Sequence, residues 1–123
     1  MQKVDGVVGV CYVYAIIDSC INEGSVEAQG SALGGIVGNA YYIVQNCENK
    51  GSITTNANSL GGIAGVNAGM ILSCKNSGNI TGSFTSSTYV GGVVGEQHIS
   101  VVGMSFLDVI IKECCNIGNI SGN

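Results

Sequence analysis

The chain has 123 residues, 46% of them hydrophobic and only 10% charged, with 20 glycines, no proline and a formal charge of −4. That is one small domain, 1–123, with enough apolar material for a narrow core. Four lysines and no arginine leave no basic stripe to neutralise phosphates, so no nucleic-acid partner is expected.

Lys3 and the apolar stretch Val7 to Ile17 could pass for the start of a signal peptide. The same residues, however, supply the first copy of a repeat, which a signal peptide has no reason to match. A coil is the better reading, and an export signal would lie upstream of Met1. No apolar run approaches the ~20 residues of a spanning helix, so no membrane insertion is expected.

Copy one has Gly6-Val7-Val8-Gly9 and then Cys20-Ile21-Asn22-Glu23-Gly24-Ser25-Val26. Copy two has Gly34-Gly35-Ile36-Val37-Gly38 and Cys47-Glu48-Asn49-Lys50-Gly51-Ser52-Ile53, and copy three Gly61-Gly62-Ile63-Ala64-Gly65 and Cys74-Lys75-Asn76-Ser77-Gly78-Asn79-Ile80. Copy four has Gly91-Gly92-Val93-Val94-Gly95 and Cys114-Cys115-Asn116-Ile117-Gly118-Asn119-Ile120. Cysteines 20, 47 and 74 are 27 apart, but 74 to 114 is 40, so copy four carries thirteen extra residues.

Cys47, Asn49, Gly51 and Ile53 alternate with Glu48, Lys50, Ser52 and Thr54, a period of two that indicates extended chain with one buried face. A second short apolar run precedes each cysteine: Ile16-Ile17, Ile43-Val44, Met70-Ile71 and Ile110-Ile111. Gly, Asn and Ser separate the runs, giving about three short strands per copy. Such strands bury a face only by lying on their equivalents in the next copy. The predicted fold is therefore all-β, a parallel β-solenoid (β-helix) of about four coils, approximately 5–33, 34–60, 61–90 and 91–123, with an apolar insertion near 98–108 in the last. Leucine-rich repeats need more leucine, and a sandwich would need hairpin turns.

Stacking places Cys20, Cys47, Cys74 and Cys114 in one inward row at about 4.8 Å. Buried free thiols are the preferred reading, with disulfides strained by parallel side chains and a collinear row unsuited to tetrahedral metal. Asn22, Asn49, Asn76 and Asn116 share the inward phase, where each amide is expected to bond to a corner and to its neighbours above and below. The repeated glycines are read as backbone-permissive corner residues, since no helix follows them to make a phosphate loop.

His98 is the only histidine, and no nucleophile lies at a meaningful spacing from it, Glu96 or Asp108. The acids are scattered, and no catalytic, cofactor or metal residue is predicted. The insertion holds His98, Val101, Val102, Phe106 and Leu107, too apolar for a free surface loop. It is expected either to cap the last coil or to form a recognition loop, the cap being preferred because burial of such side chains is worth roughly 1.5–3 kcal/mol each.

The cores Gly35-Ile36-Val37-Gly38, Gly62-Ile63-Ala64-Gly65 and Gly92-Val93-Val94-Gly95, each followed by Cys-x-Asn-x-Gly-x-Ile, resemble the GLUG-motif repeat. The resemblance implies a β-solenoid module of large bacterial cell-surface or secreted proteins, hence an extracellular or cell-surface location, and it brings no catalytic residues. The expected function is a non-catalytic structural or adhesive module that spaces other domains or presents a surface to a host protein or glycan. The alternative is a substrate-docking accessory region of a secreted peptidase or glycan-active enzyme. Open solenoid ends expose strand edges, so self-association through them is expected.

Overall fold

The structure, a computed structural model, describes residues 3–5, 8–11, 15–28, 30–56, 58–82, 88–98 and 109–122, the first two segments and residue 28 by their backbone only. Coil one contains β1 (Lys3–Asp5), β2 (Val8–Cys11), β3 (Ile16–Asp18), β4 (Ile21–Asn22) and β5 (Val26–Ala28). Coil two repeats the set as β6 (Ala32–Gly34), β7 (Val37–Ala40), β8 (Ile43–Gln45), β9 (Glu48–Asn49) and β10 (Ile53–Thr55). Coil three has β11 (Ser59–Gly61), β12 (Ala64–Asn67), β13 (Met70–Leu72), β14 (Lys75–Asn76) and β15 (Ile80–Gly82). Coil four has β16 (Tyr89–Gly91), β17 (Val94–Gln97), β18 (Ile110–Lys112), β19 (Cys115–Asn116) and β20 (Ile120–Gly122).

Each strand pairs in parallel with its equivalent in the next coil, building five four-stranded sheets such as β1-β6-β11-β16 and β3-β8-β13-β18. The chain is an all-β parallel solenoid of four coils. Among the described residues its strands number five per coil and not the three expected from the sequence. The run through Gly34-Gly35 is bent into β6 and β7, and the run from Cys47 to Thr55 is bent at Gly51 into β9 and β10, so two of the three extended runs are each cut in half. Register opens the coils at Lys3, Ala32, Ser59 and Tyr89, slightly ahead of the glycine pairs. No helix among the described residues is long and apolar enough to cross a membrane.

The core follows from the period of two. Ile17, Val44 and Ile71 lie in register inside the third sheet, and Val26, Ile53 and Ile80 inside the fifth. Two apolar columns result. One joins Ile36, Val37, Val44, Ile63, Ala64 and Ile71 with Cys47 and Cys74, and the other joins Val26, Leu33, Ile53, Leu60 and Ile80. Full burial of each Leu, Ile or Val contributes about 1.5–3 kcal/mol, set against the ordering entropy of the chain. Coil four is less covered: Ile111 and Ile120, at core positions, remain 42% and 43% exposed.

Candidate functional site

Between the two apolar columns run an asparagine column and a glycine column that fit each other. Asn22 donates Nδ2 to Asn49 Oδ1 at 2.8 Å, Asn49 to Asn76 at 2.8 Å, and Asn76 to Asn116 at 2.7 Å. Each amide also donates to the carbonyl two residues on, Asn49 to Gly51 O at 2.9 Å and Asn76 to Gly78 O at 3.0 Å. Asn49 and Asn76 are fully buried, and this pairing offsets their desolvation. Asn116 is exposed because it stands in the last coil.

A Cβ on Gly35 would lie 2.3 Å from the Asn49 carboxamide carbon, and one on Gly62 would lie 2.2 Å from that of Asn76. The second glycine of each pair is thus required by close approach of the asparagine. It stands at the bend, as read from the sequence, but its φ lies outside the left-handed region, so what the position uses is the missing side chain. Among the described non-glycine residues, the left-handed ones are Ser19, Asn46, Ser73 and Glu113, with φ of 58°, 54°, 52° and 55°, one immediately before each cysteine of the row. Their varied types gave no common signal in the sequence.

The cysteines close these corners. Cys47 Sγ donates to Gln45 O at 3.1 Å, Cys74 to Leu72 O at 3.3 Å, and Cys114 to Lys112 O at 3.2 Å. Cys20, Cys47, Cys74, Cys114 and the exposed Cys115 are free thiols. Burial pushes the Cys20 thiol up, and Cys74 is pushed up by its hydrogen bond to Cys47 and by burial. The row is a set of structural donors. Among the described residues, no cluster of three or more His, Cys, Asp or Glu is placed to hold a metal.

His98 is half exposed and its Nε2 pairs with Glu96 Oε2. Ser59 Oγ donates to the other Glu96 oxygen, Oε1, at 2.6 Å, and these two contacts hold the carboxyl below its ordinary range, the serine contributing more. The carboxylate sits between hydroxyl and imidazole, so the histidine has no contact through which to activate the serine. Val101, Val102, Phe106 and Leu107, read as a cap or recognition loop, lie outside the described residues.

A concavity lies on the outer face of the third sheet. A groove of about 360 Å³ is lined by Gln45, Asn46, Met70, Leu72, Ser73, Ile110, Lys112 and Glu113. Met70 and Leu72 reach it because they flank the inward Ile71 on β13. Ile110 extends the aliphatic floor from β18, and the left-handed corners bring Asn46, Ser73 and Glu113 to the rim, where Ser73 Oγ donates to Glu113 Oε2 at 3.2 Å. Sequence reasoning missed this groove. Its signal was Leu72, apolar where the equivalent residues of the other coils are Asp18, Gln45 and Lys112.

No match was found among curated proteins or solved structures. The family model "The GLUG motif" matches residues 29–54, which span the second coil from its first strand into its last. The first, third and fourth coils pair with this one, directly or through the third, strand by strand and in register. The second coil thus carries a GLUG motif, and its glycine and asparagine columns recur in register in the other coils, which supports reading the chain as a GLUG-motif repeat.

Proposed function

We propose that the chain is a non-catalytic module of a bacterial cell-surface or secreted protein, a short rod that presents a groove to a glycan. The observation behind this reading is the groove over β8, β13 and β18. An aliphatic floor of Met70, Leu72 and Ile110 suits the C–H face of a sugar ring, and Gln45, Asn46, Ser73, Lys112 and Glu113 supply amide, hydroxyl and charged partners for its hydroxyls. The arrangement around Glu96 supports a non-catalytic role, because its carboxylate is already held by Ser59 and His98.

A screen of glycans and host surface proteins tests it, run with the wild-type chain and Leu72→Lys. Leu72 points outward, so the variant should keep its stability within about 0.5 kcal/mol and lose the glycan signal. A wild-type chain that binds no glycan, or a variant that binds as well as wild type, contradicts the proposal. A signal confined to proteins would replace the glycan with a protein partner at the same test position.

A further inference from the structure

We propose that Asn79 and Asn119 are acceptors for N-linked glycans, which stand on the outer face of the fifth sheet. The inference rests on the reading above that the chain is a cell-surface or secreted module. Asn79-Ile80-Thr81 and Asn119-Ile120-Ser121 both have the Asn-x-Ser/Thr spacing that glycan-transferring enzymes read in exported chains. Their placement gives the spacing its weight. Both triads occupy one position of the repeat, with Ile80 in register with Ile120 and Thr81 with Ser121. Coils one and two have Ser25 and Ser52 at the asparagine position, so only coils three and four offer the amide.

Side chains two apart on a strand share a face. Ile80 is fully buried, and Asn79 and Thr81 on either side of it are exposed, as are Asn119 and Ser121. The amide and the hydroxyl of each triad therefore face solvent together. The buried column behaves in the opposite way: Asn22, Asn49 and Asn76 donate Nδ2 to the next asparagine inward and have glycine, not a hydroxyl residue, two positions on. Among the described residues, Asn79 bonds through Oδ1 alone, which accepts from Asn119 N at 3.0 Å and leaves Nδ2 without a partner. A sugar joined at Nδ2 leaves that contact in place. In the transfer, Asn79 Nδ2 attacks the anomeric carbon of a glycan carried on a lipid diphosphate. The N–C bond forms, the C–O bond to the diphosphate breaks, and one amide proton passes to a base of the transferase. Ile53 N donates to Asn79 O and Ile80 N to Asn119 O, both at 2.8 Å, so the triad's backbone is bonded on both sides in the folded sheet. The transfer precedes folding, and the fold then holds the glycan outside.

Peptide mass spectrometry of the protein isolated from the cells that make it, together with fractionation of those cells, tests this. The peptides holding Asn79 and Asn119 should carry sugar mass on the asparagine. Thr81→Ala should keep the melting temperature and lose the sugar at Asn79 only, and Ser121→Ala should lose it at Asn119 only. Sugar that persists on Asn79 in Thr81→Ala overturns the proposal. Bare asparagines on protein recovered from the cell surface or the medium overturn this proposal and leave the module reading standing. Bare asparagines on protein retained inside the cell overturn both.

Discussion

Asn49 and Lys50 are neighbours with opposite roles. Asn49 is fully buried and makes three hydrogen bonds, to Asn22, Gly51 and Asn76, whereas Lys50 is an exposed charge. Asn49→Ala should destabilise by about 1–3 kcal/mol because it removes the acceptor of Asn22 Nδ2 and the donor to Asn76 Oδ1 in a buried column. Lys50→Ala should stay within about 0.5 kcal/mol. Equal melting temperatures for the two variants would refute the inward placement. Glu96 adds a pH dependence. Its folded-state pKa is depressed, so its contribution is present above the ordinary carboxylate value and lost as pH falls through the lowered one. Ser59→Ala should flatten the stability profile in that acid range, and an unchanged profile would show that the hydroxyl is not what holds the carboxylate. The alternation of residues made the asparagines legible as inward. It did not reveal why their partners are glycines, because period two reports which face a residue takes and not which residue lies across the coil from it.

At the level of the element, the corner before each cysteine is the least readable part of the coil. Ser19, Asn46, Ser73 and Glu113 adopt one left-handed geometry with three residue types, and only asparagine is favoured there. The stacked backbone decides: Ser19 N, Asn46 N and Ser73 N each donate to the corner carbonyl of the following coil, at 3.1, 3.0 and 2.9 Å. Ser73→Val should therefore cost about 1–2 kcal/mol through left-handed strain, while Ser73→Asn should cost nothing measurable. Denaturant unfolding of the pair checks this, and equal midpoints would place the strain elsewhere. The strand count was misread for a related reason. Bends at Gly35 and Gly51 leave the apolar alternation intact while cutting each extended run in two.

For the molecule as a whole, the repeat length carried the architecture, because a spacing of 27 residues kept through three coils fixes which strands must pair. Of the thirteen extra residues before Cys114, three precede β16 and ten lie between β17 and β18, and the register survives both, since Asn76 still bonds to Asn116 across 40 residues. The groove was not legible, since it depends on left-handed corners projecting Asn46, Ser73 and Glu113 around outward apolar residues. The central claim is that the coils are held in register by the buried asparagine column. Hydrogen exchange of the asparagine side-chain amides, followed by nuclear magnetic resonance on the dilute chain, tests it most directly. The account predicts slow exchange at Asn49 and Asn76, intermediate exchange at Asn22 and fast exchange at the exposed Asn116. Uniformly fast exchange at all four would contradict it.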